Sequence, residues 1–463
     1  MSRPPLIVRA TVPTVALAMA ACVSTPPQTK TPSHGQVSVT KVSPKAFTPA
    51  SPTPRPSADS QNGGPSSSAA PTTAASFFFS PSPFQNLPAT PTPIPIGTPP
   101  PSSSNPSVNP TPTPTTGASA GNTAPSAVPT GGQVSLVAGS SMGSANGQGA
   151  SAQFNMPMGV VVGSDGTIYV ADTGNDCIRK IDSSNNVTTF AGQPGQAGSA
   201  NGQSSSAQFH SPTGLAMDSS GNIYVADSGN DDIRKIDSSG NVTTLAGAGQ
   251  AGMKDGTGTA AMFHTPYGIV FDGQGNLYVS DAGNNQIRMV AIANGQVSTF
   301  AGDPAGTATF ADGDGTQGAT TGGAAFNHPE GLAIDTTSTI YIADTGNNRI
   351  RRMTTPGAVV DTIWGNGSTA LIDAPGGVAV TSNAIVYATD SAANRIRGIL
   401  PDTAPFDPNH TALLWTGTTA GSTDGAFGTA EMSDPEGLAI DPADGSLIVA
   451  DAGNHRIRKV FPQ

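Results

Sequence analysis

Cysteine is almost missing from this chain: Cys22 and Cys177 are the only two among 463 residues. A pair this sparse builds no disulfide framework. Acidic side chains are nearly absent from the first 132 residues, where Asp59 stands alone. Apolar runs are short. The stretch "ATVPTVALAMAA" at 10–21 cannot cross a bilayer, which excludes a transmembrane helix there. Basic residues are scarce further on, with 14 Lys and Arg against 30 Asp and Glu after residue 132. Such an acidic balance repels phosphate backbones and excludes nucleic acid as a partner. Cations, polar small molecules and carbohydrates fit it better.

The front of the chain carries export features. Arg3 and Arg9 precede the apolar stretch, so residues 1–21 read as a signal peptide. The string "MAAC" followed by Val-Ser-Thr-Pro resembles the lipobox of bacterial lipoproteins. That resemblance implies cleavage after Ala21 and diacylation of Cys22 as the new N-terminus. The protein is then expected at the cell envelope, on an outer membrane or cell surface, touching the membrane through its lipid anchor. Cleavage after Ala18-Met19-Ala20 is the alternative and would give a secreted protein. Residues 22–132 are rich in Pro, Ser and Thr, and are expected to form a disordered or polyproline-II stem. Within it, "SFFFSPSPF" at 76–84 is a sticky patch.

The rest of the chain repeats itself. "YVADTGNDCIRK" at 169–180 returns as "YVADSGNDDIRK", "YVSDAGNNQIRM", "YIADTGNNRIRR", "YATDSAANRIRG" and "IVADAGNHRIRK". The recurring aspartates are Asp172, Asp227, Asp281, Asp344, Asp390 and Asp451, spaced by 46 to 63 residues. That period, with several short β-rich runs in each unit, indicates a propeller. One unit reads F-x-x-P-x-G, D-x-x-G-x-I-Y-V-A-D, T-G-N, x-x-I-R-K, V-T-T-F-A-G, which makes a four-stranded meander with strands a to d. The chain ends at "RIRKVFPQ", after strand c of the sixth unit, while "GQVSLVAG" at 132–139 precedes the first unit and matches a strand d. An N-terminal strand d is therefore expected to complete the last blade. It closes a six-bladed ring over 133–463 and removes the sheet edges, as in a monomer.

These strings resemble NHL repeats, in register six times. The resemblance implies an all-β, six-bladed β-propeller used as a binding platform, as a sensor or sometimes as an enzyme. The fifth unit departs most, with Ala393 read in place of the turn glycine and Ile372 in place of the phenylalanine.

A group needed for chemistry should occur once or twice around an axis, not in every blade. The six aspartates are therefore read as structural, accepting backbone N–H bonds at the corner after strand b. Arg179, Arg234, Arg288, Arg351, Arg397 and Arg458 recur equally and are expected to form ion pairs. Cys177 falls in a slot that also holds Asp, Gln and Arg, and is read as a tolerant surface position.

Function is expected where the copies differ. The position between Pro and Gly, placed at the channel mouth, holds Met158, Thr213, Tyr267, Glu330, Gly376 and Glu436. Thr213, Tyr267, Glu330 and Glu436 are the ligand-facing candidates. His210, His264 and His328 stand just before three of the prolines and, with the two glutamates, form a candidate divalent-cation set. Asp312 and Asp314 in "FADGDGTQG" resemble part of a calcium loop, but Thr316 and Gln317 stand where a third ligand and a glycine belong. The amidating lyase that resembles this family holds its metal through histidines around the channel, some directly after such prolines, and none stands there here. No cofactor is expected beyond that cation. The leading expectation is a noncatalytic binding, scaffold or sensor module for a protein, glycan or small ligand. The alternative is a metal-dependent lactonase, hydrolase or lyase at the channel mouth.

Overall fold

The computed structural model describes residues 132–315, 323–355, 358–400, 412–414, 416 and 419–461. The export signal, Cys22, the stem with its phenylalanine patch, Thr316 and Gln317 lie outside them.

Six antiparallel sheets stand around one axis, five of five strands and one of four. In blade 2, strand a is Pro212–Met217, b is Ile223–Asp227, c is Asp232–Ile236 and d is Asn241–Ala246. Blade 1 has the same order from Pro157–Val162 to Asn186–Gly192. A two-residue strand from the incoming connector covers the outer edge of strand d, as where Gly202–Gln203 pairs with Asn241 and Val242. Among the described residues, blade 5 shows no such cover. Its strand d is Ala412–Leu414, and its strand a is trimmed to Val378–Val380.

The ring closes as the sequence predicts. Gln133–Ala138 pairs antiparallel with Arg456–Phe461, bringing Val134 opposite Val460 and Leu136 opposite Arg458. Burial follows the same closure. Each of six apolar clusters lies between neighbouring blades, and one of them packs Val160 and Val170 of blade 1 with Ile448 and Ile457 of blade 6. Each fully buried Val, Leu or Ile contributes about 1.5–3 kcal/mol, so the joints between blades are where the ring gains most of its cohesion.

Strand a is innermost, and its glycine explains the P-x-G signature. Gly159, Gly214, Gly268, Gly331, Gly377 and Gly437 each abut the next blade's backbone, where a Cβ would meet a carbonyl oxygen at 2.0–2.5 Å. Only glycine permits that approach.

Candidate functional site

The repeated aspartate is fully buried and serves three partners. Asp227 Oδ1 accepts the His210 backbone N–H at 2.7 Å, and Oδ2 accepts Asn230 Nδ2 at 2.8 Å and Arg234 Nη1 at 2.7 Å. Asp172, Asp281, Asp344 and Asp451 repeat this arrangement with Arg179, Arg288, Arg351 and Arg458. The expected corner cap needs correction. The bonded N–H belongs to the second residue before strand a rather than to the turn after strand b, so the carboxylate fastens two elements together. Burial pushes the Asp227 carboxyl up to about 6, while Arg234 and the N–H donors pull it back.

In blades 1 to 4 the arginine also faces a phenylalanine ring, and in blade 5 Arg397 faces Trp364. The Arg179, Arg234, Arg288 and Arg351 guanidinium carbons lie 5.2–5.3 Å from the ring centroids of Phe154, Phe209, Phe263 and Phe326. Cation–π attraction of this kind accounts for the repeated phenylalanine. The outer Nη2 bonds Asn146 and Asn201 in blades 1 and 2, but the carboxylates of Asp255, Asp312 and Asp424 in blades 3, 4 and 6. Asp312 thus spends its carboxylate on Arg351 and on Thr362 Oγ1, at 2.8 and 3.0 Å. It is Asp312, rather than Asp314, that matches the Asn-Gly and Asp-Gly positions of the other connectors. Asp314 pairs as backbone with Val359.

Blade 5 shows what replaces the motif. Ala392 occupies the place of the turn glycine and Ala393 that of the asparagine, which corrects the reading of Ala393. Arg395 Nε then reaches Asp390 Oδ2 at 2.6 Å beside Arg397 Nε at 3.1 Å. Cys177 also needs correction, being fully buried and not at the surface. The slot lies beneath the connector to the next blade, as Gln286 shows by donating to Asp303 O and Asp232 by accepting from Gly249 N. Burial, the largest influence, holds the Cys177 thiol well above its ordinary pKa.

The three histidines do not form one set. His210 and His264 occupy the position whose N–H binds the repeated aspartate, and the His210 ring Nδ1 lies 3.1 Å from Gly229 O. His328 stands one residue later along the repeat, at a position with φ near +50° in every blade. There the backbone N–H crosses to the preceding blade. Ser211 N–H binds Asp176, Thr265 binds Asp231, His328 binds Asn285, Ala374 binds Asn348 and Asp434 binds Asn394. His455 Nδ1 closes the circle by accepting from Met156 N at 3.1 Å. Among the described residues, no group of three or more His, Cys, Asp or Glu is gathered closely enough to hold a metal ion.

The residues between Pro and Gly do meet at the mouth of the channel. Met158, Thr213, Tyr267 and Gly376 line a cavity of about 60 Å³ there. Thr213 is spent on the joint between blades 2 and 3, with its hydroxyl 2.6 Å from Ser228 Oγ and 3.1 Å from Tyr267 O. Tyr267 spans the opening. Its hydroxyl lies 3.2 Å from Glu436 Oε2, three blades away, and 3.4 Å from Met158 Sδ. The missing side chain at Gly376 makes room for Glu436, whose Oε2 would lie 2.2 Å from a Cβ there. Burial first, then the charges of Glu330 and Asp434, push the Glu436 carboxyl well above the usual carboxylate range. Burial and the Glu436 charge likewise raise the Tyr267 phenol. On the rim, Glu330 Oε1 sits 3.1 Å from His328 Nδ1, and this bond raises the imidazole pKa. The half-exposed His328 ring and the more recessed Glu330 form the accessible part of the mouth.

These features define a six-bladed, all-β propeller whose channel is stoppered at one mouth by a tyrosine and ringed by carboxyl groups. NHL repeats match residues 154–181, 209–235 and 432–460, and the teneurin NHL domain matches 251–354. The chain carries NHL repeats on this propeller. It is 29% identical over 322 residues to human NHL repeat-containing protein 2, covering 63% of this chain and 44% of that protein. It is 32% identical over 155 residues to Suppressor of quenching 1, a chloroplastic protein of Arabidopsis thaliana, covering 31% and 15%. The chain therefore spans less than half the length of these relatives. Auxiliary nutrient binding proteins of Bacteroides ovatus and Bacteroides thetaiotaomicron align with TM-scores of 0.51 at 13% and 14% identity. Those alignments cover 72% of this chain and 77% and 76% of theirs, a likeness of fold.

Proposed function

We propose that this protein is a noncatalytic binding module, exported and anchored at the cell envelope through Cys22, that engages a cationic group of a protein or glycan at its channel mouth. The observation that carries this reading is the Tyr267–Glu436 contact across the axis. It leaves a cavity of about 60 Å³, room for a few waters, so a partner meets a shallow acidic surface and not a deep catalytic pocket. Glu330, Glu436 and Asp434 crowd that surface, and a bound cation relieves their mutual repulsion. The acidic balance of the propeller as a whole favours approach of such a partner.

Calorimetric titration of the full chain with a tetralysine peptide and a glucosamine tetramer tests the binding. Binding that weakens as salt rises is expected. Failure of both probes at low salt overturns the reading. The tether is tested separately by fractionating cells that express Cys22→Ala. The variant is expected to leave the membrane fraction, and the parent to incorporate a fatty-acid label. An unlabelled parent leaves simple secretion.

A further inference from the structure

The other end of the channel has a different chemistry. After its glycine, strand a sends alternate residues to the axis. At the far end these are Val162, Met217, Phe271, Ile334, Val380 and Ile440, all half-buried. A deeper ring of Val, Leu and Ile, from Val160 to Leu438, lies behind them and is buried. Together they bound a cavity of about 290 Å³ with no polar side chain in its lining. A soluble fold has no structural need to leave six apolar side chains around an open funnel, since larger residues there would close it.

Carboxylates predominate just beyond the outer ring. Asp218, Asp272, Asp335 and Asp441 each directly follow a residue of the outer ring, and Asp165 lies three residues beyond Val162. Asp218, Asp272 and Asp335 accept N–H bonds from their own hairpins, such as Asn222 N at 3.0 Å, Asn276 N at 2.9 Å and Thr339 N at 2.9 Å. Tyr224 and Tyr341 add hydroxyl donors to Asp218 and Asp335. Lys459 serves Asp441 and Asp444. The hairpin bonds fix these carboxylates in place at the end of strand a, beyond the outer ring.

We infer that the funnel is a binding site for a small amphiphile with a hydrocarbon tail and a cationic head. The cavity has about twice the 150 Å³ of an apolar cavity that binds benzene, which is room for a tail of about ten carbons. The aspartate rim selects the sign of the head group, favouring an amine over a carboxylate of equal length. This site lies at the opposite end of strand a from the Tyr267–Glu436 mouth and stands independently of the function proposed there.

Displacement of the fluorescent probe N-phenyl-1-naphthylamine from the full chain tests the inference, using alkyl ligands below their micelle concentrations. Affinity is expected to rise about fourfold per added methylene up to decylamine, with decylamine ahead of decanol and decanol ahead of decanoate. Phe271→Arg fills the funnel with a like charge and should abolish displacement by decylamine, with a melting scan confirming that the variant is folded. Asp218→Asn/Asp272→Asn keeps one oxygen for the hairpin N–H bonds and should reduce the preference for the amine over the alcohol. Glu330→Gln/Glu436→Gln should leave displacement unchanged, which separates this site from the acidic mouth. Equal displacement from folded Phe271→Arg, loss of displacement in the mouth variant, or decanoate as the tightest ligand would overturn the inference. So would failure of every alkyl ligand to displace the probe.

Discussion

The Tyr267 hydroxyl and the Glu436 carboxyl meet at 3.2 Å although they belong to opposite blades, so one hydrogen bond spans the axis of the ring. Because burial and two neighbouring carboxylates hold Glu436 above its ordinary value, the mouth favours its protonated form until a cation enters. A carboxyl raised in the folded state contributes stability that is fully present below the unfolded value of about 4.5. That contribution is lost as pH rises through the folded value. Glu436→Gln keeps the shape without the ionisation. Its melting temperature should equal or exceed that of the parent at neutral pH and fall less between pH 5 and 8. Parallel pH profiles for the two proteins would contradict this assignment.

The closing bond at the opposite side of one joint has the reverse sign. His455 Nδ1 must be unprotonated to accept the Met156 N–H, and burial lowers the His455 pKa. A histidine depressed on folding contributes stability that is present above the unfolded value of about 6.5 and is lost as pH falls through the folded value. Asn285, Asn348 and Asn394 do the same work in other blades with an amide oxygen. His455→Asn should therefore remove part of the acid sensitivity in that window, read against the parent in a melting series. An unchanged acid limb would count against the latch.

The buried ion pairs differ between blades in a way that equilibrium unfolding can detect. Arg234 has one carboxylate partner, whereas Arg288 has two, Asp281 and Asp255. Asp227→Asn leaves a buried guanidinium without a carboxylate, a loss of about 3–5 kcal/mol. Asp281→Asn leaves Asp255 in place and should cost less. Urea midpoints that shift equally in the two variants would show that the second carboxylate does not share the load.

Closure can be tested by length. A chain starting at residue 140 lacks the strand Gln133–Ala138 that pairs with Arg456–Phe461 and leaves two sheet edges open. It should melt well below a chain starting at residue 132, or aggregate. Equal melting temperatures would contradict the pairing.

The blade count and the offset closure were legible in the sequence because a period of short β runs separated by turns admits few folds. The identity of the mouth residues was legible too, since the position between Pro and Gly recurs in register. What escaped was contact made through the fold. Phe209 and Arg234 are 25 positions apart, and only the finished blade stacks them. The separation of His210 from His328 was hidden because neighbouring positions diverge at the residue with positive φ. Cys177 looked superficial because polar residues share its slot, but those residues reach partners beneath the connector, as Gln286 does with Asp303.

The proposed function divides labour: the repeated aspartates hold the blades, and the unrepeated glutamates are expected to meet the partner. The most direct test is one calorimetric titration series with the tetralysine peptide at pH 7 and low salt, comparing the parent, Asp227→Asn and Glu330→Gln/Glu436→Gln, each at a temperature where it is folded. Asp227→Asn should bind as the parent does while melting lower. The glutamate variant should melt near the parent or above it and bind at least about tenfold more weakly, the equivalent of about 1.4 kcal/mol. The opposite pattern, with binding lost in a fully stable Asp227→Asn and kept in the glutamate variant, would make the repeated aspartate the functional group and contradict the account.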